Sequence, residues 1–266
     1  MQKTHLLIID PQFDFCDPSG ALFVPGANHD IERLASFVDR IRDKLEMVHV
    51  TLDCHHLVDI AHPIFWLDTN GKHPDPFTII SASDVADGVW RTTKPSWQKR
   101  ALEYVRGLEK NGRYPLCVWP PHCLIGTPGN NVHEPLLSAL HRWESDKFRT
   151  TEYVTKGSNP WTEHYSAVQA DVPDSADPST QINTGLISTL ERADIILAAG
   201  EAGSHCLANT VRDIANNFGD DSYVKKLVLL EDATSPVPTF EKFQDDFVDE
   251  MKQRGMQISN TADWMA

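Results

Sequence analysis

The sequence predicts an α/β protein of three layers, with a mostly parallel central sheet packed between helices. Three observations lead there. Short runs such as "THLLIID", "LEMVHVTLD" and "RADIILAAG" are almost continuously apolar, as strands buried on both faces are. Amphipathic helical patterns lie between the runs. Each run ends in Asp or Gly before a turn, and in such folds ligands collect at the carboxyl ends of the strands.

In chain order, "THLLIID" reads as the first strand and ends at Asp10. A helix follows in "ANHDIERLASFVDRIRDKLE", where Ile31, Leu34, Phe37, Val38, Ile41 and Leu45 recur at helical spacing. "LEMVHVTLD" is the second strand and ends at Asp53. Residues 66–116 break the alternation with charged and proline-rich sequence and one expected helix, "SWQKRALEYVRGLEKNG". A short β-like run, "EYVTKG", carries Lys156, and residues 158–182 read as irregular. "RADIILAAG" is the next strand and ends at Gly200. "CLANTVRDIANNFG" is a helix that stops at a glycine, and "VKKLVLLEDAT" is a candidate fourth strand. Neither irregular stretch has an apolar core of its own. The expectation is therefore one domain, 1–266, with insertions at about 66–116 and 158–182.

Composition narrows the class. The 266 residues are 41% hydrophobic, enough for one large core. The net charge of −14 argues against nucleic acid or an anionic membrane as partner, since both reward lysine and arginine. The apolar runs are too short to span a bilayer, and no secretory signal pattern opens the chain. Five cysteines without a CxxC fit a reducing compartment, so the expected location is cytoplasmic.

The chemistry concentrates at the strand ends. Cys206 in "AAGEAGSHCLANT" falls at the start of a helix, where unpaired N–H groups and the helix dipole stabilise a thiolate or an oxyanion. A buried packing cysteine is an equal reading from position alone. Asp10 could take a thiol proton, or could simply cap a turn. Lys156 could hold negative charge beside them, or could be a surface lysine. In "TLDCHH", Asp53 and His55 alternate and project to one side, as metal ligands would. A third ligand is needed, and His56, His62, His73 and His122 lie downstream. The stiff stretch "VWPPHCLIGTPGNN" aims Trp119 and His122 into a pocket, or is an ordinary rigid loop.

Together "LLIIDPQFDFCDPSGAL", "TLDCHH", "WPPHCLIGTPG", "TKG" and "AAGEAGSHCLANTVRDI" resemble, in order, the motifs of the nicotinamidase-like branch of the isochorismatase-type cysteine hydrolases. The resemblance covers roughly residues 4–65, 117–157 and 185–235, and implies an isochorismatase-like fold. It implies Asp10 as general base, Lys156 as the charge-stabilising lysine and Cys206 as nucleophile. It implies Asp53, His55 and His122 as ligands of a divalent metal, zinc first, with iron or manganese as alternatives. Phe15 and Trp119 match aromatics that flank a pyridine ring. The Glu201–Ala202 peptide matches a cis bond that turns the N–H of Ala202, with that of Cys206, toward the oxyanion. The implied activity is hydrolysis of nicotinamide to nicotinate and ammonia through a thioester. The alternatives are another small amide, ureido or carbamoyl compound, or isochorismatase-like hydrolysis. The implied partner is a small-molecule amide; a homo-oligomer stays open.

The chain departs from that pattern at "GEAGS", where Glu201 replaces an aliphatic residue and is expected at the pocket edge as a substrate-binding group. Cys54 stands where an aromatic is common, and about 66 residues lie between His55 and His122, more than in compact members.

Overall fold

The computed structural model describes residues 2–264. The elements in chain order are β1 (Thr4–Ile9), α1 (Phe13–Cys16), α2 (Ala27–Ile41), β2 (Leu45–Asp53), β3 (Trp66–Leu67), β4 (Ile79–Ile80), α3 (Ala82–Ala86), β5 (Arg91–Thr92) and α4 (Gln98–Asn111). They continue with β6 (Leu116–Cys117), α5 (Leu136–Lys147), β7 (Glu152–Lys156), α6 (Thr184–Glu191), β8 (Ile195–Gly200), α7 (Cys206–Asn217), β9 (Leu227–Leu230), α8 (Glu241–Arg254) and β10 (Gln257–Ser259).

Six strands form one sheet in the order β10-β9-β8-β1-β2-β7, every neighbouring pair parallel. β1 and β9 are buried along their whole length, which is why their sequences are apolar without alternation. The four strands expected from the apolar runs all lie in this sheet, and the "EYVTKG" run supplies its edge, β7. β10 at the other edge carries no comparable apolar run.

Helix α2 buries Ile31, Leu34, Phe37, Val38 and Ile41, the face expected from the spacing. Each such side chain contributes roughly 1.5–3 kcal/mol by leaving water. The helix is shorter than its periodicity suggests. Lys44 N closes a turn on Ile41 O, and Leu45 pairs with Thr4 as the first residue of β2. Sheet pairing outcompetes one more helical turn there.

The 66–116 stretch folds as two small antiparallel pairs, β3–β5 and β4–β6, with α3 and α4. A capping box between Ser81 and Asp84 starts α3, and Gly112 at φ +67° ends α4. Trp66, Val85, Tyr104 and Leu108 from this stretch pack into the same apolar core as the sheet. Residues 158–182 contain no helix beyond the 3₁₀ turn Pro178–Thr180, yet Glu163–Ala167 are buried.

The strand order reverses between β1 and β8, so a crevice opens at the carboxyl ends of those two strands. Register decides what meets there. Ile9 pairs with Gly200 and Asp53 pairs with Lys156. That brings Asp10, Asp53, Lys156 and the 200–206 turn to one rim.

Candidate active site

Asp10 leaves β1 at φ +42° and is fully buried. Thr51 Oγ1 donates to its Oδ1 at 2.5 Å, and the Asp10 N–H donates back to Thr51 Oγ1 at 3.0 Å. Lys156 Nζ lies 2.8 Å from Asp10 Oδ2, 3.2 Å from Asp53 Oδ1 and 3.6 Å from Cys206 Sγ. One ammonium therefore touches two carboxylates and the thiol, all sealed from solvent. Burial works against the Lys156 charge, but Asp10 and Asp53 outweigh it and hold its pKa well above the usual lysine range. Burial, with Asp53, raises Asp10 against the pull of Lys156.

Cys206 is the first residue of α7, as expected. Its resting form differs from the expected thiolate. Burial, with Asp10 and Asp53, pushes its pKa well above the ordinary thiol value, and Lys156 only partly opposes this. The group is a thiol with a carboxylate acceptor in reach.

Turn geometry sets the approach of the chain. Gly200 sits at φ +106°, and a Cβ there would fall 2.1 Å from Ile9 O, so only glycine lets β8 end against β1. Gly157, at φ +82°, faces Asp53 Oδ1, which a Cβ would meet at 2.5 Å. The Glu201–Ala202 peptide is cis.

Asp53, His55 and His122 offer ligand atoms that all lie within 4.8 Å of one another. His55 Nε2 is 3.2 Å and His122 Nε2 3.7 Å from Asp53 Oδ2. Both rings are oriented from behind: His55 Nδ1 contacts Asp59 Oδ2 at 3.1 Å, and His122 Nδ1 contacts Pro120 O at 2.9 Å. With Nδ1 engaged, Nε2 is the nitrogen presented to an ion. His62 shares the arrangement. Its Nδ1 contacts Leu57 O at 3.2 Å, its buried Nε2 has no partner, and its ring lies 5.2 Å from His55 and 5.7 Å from His122. An orphaned imidazole nitrogen beside two others and a carboxylate is a donor set that fits zinc, iron or manganese.

A pocket opens beside these groups. Phe15, Leu22, Val24, Trp119, Tyr165 and Val237 form its apolar wall, and Asp53, His122, Glu163, Ala202, His205 and Cys206 its polar one. Trp119 Nε1 donates to Tyr165 Oη at 3.0 Å, fixing the indole plane, and Phe15 packs on His122 at 5.3 Å between ring centroids.

No family model matches the chain, and no curated protein does. Solved structures do. A nicotinamidase/pyrazinamidase of Acinetobacter baumanii superposes with a TM-score of 0.64 at 20% identity, over 99% of this chain and 98% of that one. The yeast nicotinamidase bound to the inhibitor nicotinaldehyde gives 0.65 at 19%, over 97% and 99%. The pyrazinamidase of Pyrococcus horikoshii in complex with zinc gives 0.57 at 20%, over 97% and 99%.

The chain has the isochorismatase-like fold of the nicotinamidases.

Within this nicotinamidase fold, the structure brings Asp10, Asp53, His55, His122, Lys156, Ala202 and Cys206 to one rim, with Phe15 and Trp119 on the pocket wall. It does not bring Glu201 there. Glu201 is fully buried and absent from the pocket lining; its Oε2 accepts from Ser235 N at 3.1 Å, and its carboxyl faces Asp30. The expectation of Glu201 as a substrate-binding group is corrected accordingly: along the 200–206 turn Ala202 faces the pocket, and residue 201 points behind it. Several groups escaped sequence reasoning. Gln12 exchanges hydrogen bonds with the Asp53 backbone at 2.7 Å each way, and the "DPQ" that follows the first strand was its available signal. Thr51 stands two residues before Asp53 on the same face of β2, a cue in the strand alternation. Glu163 and Tyr165 lie in a stretch read as loop, where no periodicity marks them.

Proposed function

We propose that the protein is a metal-containing cysteine amidohydrolase of nicotinamidase type, converting nicotinamide to nicotinate and ammonia. The observation that carries this reading is Lys156 Nζ in contact with Asp10, Asp53 and Cys206, the last two lining an aromatic-walled pocket.

The resting thiol of Cys206 gives its proton to Asp10 as sulfur attacks the amide carbon. Lys156 offsets the negative charge that passes between them. The backbone N–H groups of Ala202 and Cys206 receive the oxyanion. Asp10 then returns the proton to the leaving nitrogen, ammonia departs, and a thioester remains on Cys206. Asp10 next takes a proton from water as hydroxide adds to the thioester carbon; collapse expels the sulfur, which takes that proton from Asp10, and the product acid loses its remaining proton to solvent as the carboxylate. Phe15 and Trp119 hold an aromatic ring between them and keep bulk water out. Asp53, His55 and His122, with His62 beside them, would hold a divalent metal, zinc first, which when bound would orient a pyridine nitrogen or a water. An aldehyde is a natural trap for such a thiol, and the yeast structure with nicotinaldehyde supports the analogy.

The test is ammonia release by zinc-loaded protein from nicotinamide and a panel of small primary amides and ureido acids. Cys206→Ala is expected to cut turnover at least about 10³-fold with unchanged circular dichroism. Retained turnover in that variant would remove Cys206 as nucleophile. A second reading, an amide other than nicotinamide, is favoured by Glu163. Its carboxyl lines the pocket and its buried Oε1 has no partner, which suits a substrate bearing a hydrogen-bond donor.

A further inference from the structure

Glu201 is a fully buried carboxyl that the proposed reaction does not use. It sits on the peptide that precedes Ala202, behind the turn that receives the oxyanion. Glu201 Oε2 accepts from Ser235 N at 3.1 Å, while buried Oε1 has no donor. The Asp30 carboxyl of α2 is close enough to raise its pKa, and Ser235 holds both carboxyls. Asp30 already has two donors of its own: the Arg33 guanidinium on Oδ1, and Ser235 Oγ on Oδ2 at 2.6 Å.

Two carboxylates cannot face one another in a sealed site without a proton between them. The donor count says where that proton belongs. Asp30 accepts from two donors, and Glu201 Oε1 accepts from none. Arg33 on α2 and the buried thiol of Cys16 on α1 also act on Glu201. Burial, with Asp30 next, holds Glu201 well above the usual carboxylate range.

The same contacts reach the active site. Ser235 O accepts from Gly203 N at 2.9 Å, and Ser204 Oγ accepts from Val237 N at 3.0 Å. Val237 lines the pocket, next to Ala202 and Cys206. The 200–206 turn and the 235–237 loop are thus joined by their own hydrogen bonds, and Glu201 adds a second tie through Ser235 toward α2.

We propose that Glu201 is a positioning residue for the oxyanion turn: as a neutral acid it donates to Asp30, and so clasps the turn and the pocket-lining 235–237 loop to α2. The catalytic part of this inference rests on the hydrolase reading; the clasp itself does not.

A raised carboxyl pKa contributes stability that is present at low pH and lost as pH rises through the folded value. The loss begins at the ordinary carboxylate value, so the experiment follows kcat and melting temperature against pH from about pH 4 to about pH 10 for wild type, Glu201→Gln and Glu201→Leu. Glu201→Gln offers Asp30 an amide donor that does not titrate. It is expected to keep neutral-pH kcat within about twofold while losing the fall with rising pH that Glu201 contributes to kcat and melting temperature. Glu201→Leu removes the clasp and is expected to lower kcat about tenfold or more, with KM little changed. The clasp is overturned by wild-type kcat in Glu201→Leu, or by melting temperatures of wild type and Glu201→Gln that stay parallel across the whole pH range. Should no amide be turned over, the melting comparison still decides the clasp, and the missing turnover counts against the hydrolase reading alone.

Discussion

At the scale of single residues, Thr51 is the side chain that separates chemistry from packing. Its hydroxyl both donates to Asp10 Oδ1 and accepts from the Asp10 N–H, and it touches neither the pocket nor the metal ligands' side chains. Thr51→Val keeps the volume and removes the hydrogen bonds. A bond to a charged group contributes about 1.5–3 kcal/mol. The expected outcome is a fall of about tenfold or more in kcat, with metal content unchanged by elemental analysis. Wild-type kcat in Thr51→Val would show that Asp10 is oriented by Lys156 alone. The acid itself could be read from the chain, because a charged residue at the end of an apolar run is conspicuous. Strand alternation puts its hydroxyl partner on the face of Asp53, but nothing local distinguishes a buried threonine that orients a base from one that fills a strand.

At the scale of elements, turns decide whether the site assembles. Gly157 follows β7 at φ +82°, and a Cβ would lie 2.5 Å from Asp53 Oδ1 and 3.4 Å from His55 Cε1. Gly157→Ala is expected to destabilise the fold by about 1–3 kcal/mol through its backbone conformation. It is also expected to weaken zinc binding by roughly tenfold or more, since it displaces a ligand and that ligand's neighbour. Urea unfolding and zinc titration with a chromogenic chelator read the two effects separately; unchanged zinc affinity would argue against Asp53 as a ligand. The elements themselves were largely legible. Apolar runs located the inner strands, and helical spacing located α2, α4 and α7. The end of α2 was not, since Leu45 satisfies a helical face and a parallel strand equally well, and pairing with Thr4 settles the choice. The 158–182 stretch was legible as irregular and not as a pocket wall, because Glu163 and Tyr165 are held by scattered tertiary contacts rather than by a period.

At the scale of the whole molecule, the buried histidines make stability depend on pH. His5 and His49 lie side by side on β1 and β2, with His49 Nε2 3.2 Å from His5 Nδ1, and burial lowers both pKa values to about 4. Burial likewise lowers His205 to about 4 and His164 to about 3. In the unfolded chain a histidine titrates at about 6.5. The stability these neutral rings contribute is therefore fully present above about pH 6.5 and lost as pH falls toward 4. Melting temperature is expected to drop steeply across that window, and His5→Phe to make the drop shallower. An acid limb identical in wild type and His5→Phe would mean that the pair is not desolvated.

The amino-acid sequence by itself determined the layers, the parallel sheet, and the addresses of Asp10, Asp53, His55, Lys156 and Cys206 at element ends. Hydrophobic period and turn chemistry are local, and they are written in neighbouring residues. Only the tertiary structure decided that Lys156 touches Asp10, Asp53 and Cys206 at once, that His62 presents a free nitrogen beside His55 and His122, and that Glu201 turns away from the pocket to Asp30. Those outcomes depend on the register of β1 against β8 and of β2 against β7, and on which side of a turn a side chain leaves. Both are set by packing across distant parts of the chain, which no local pattern records.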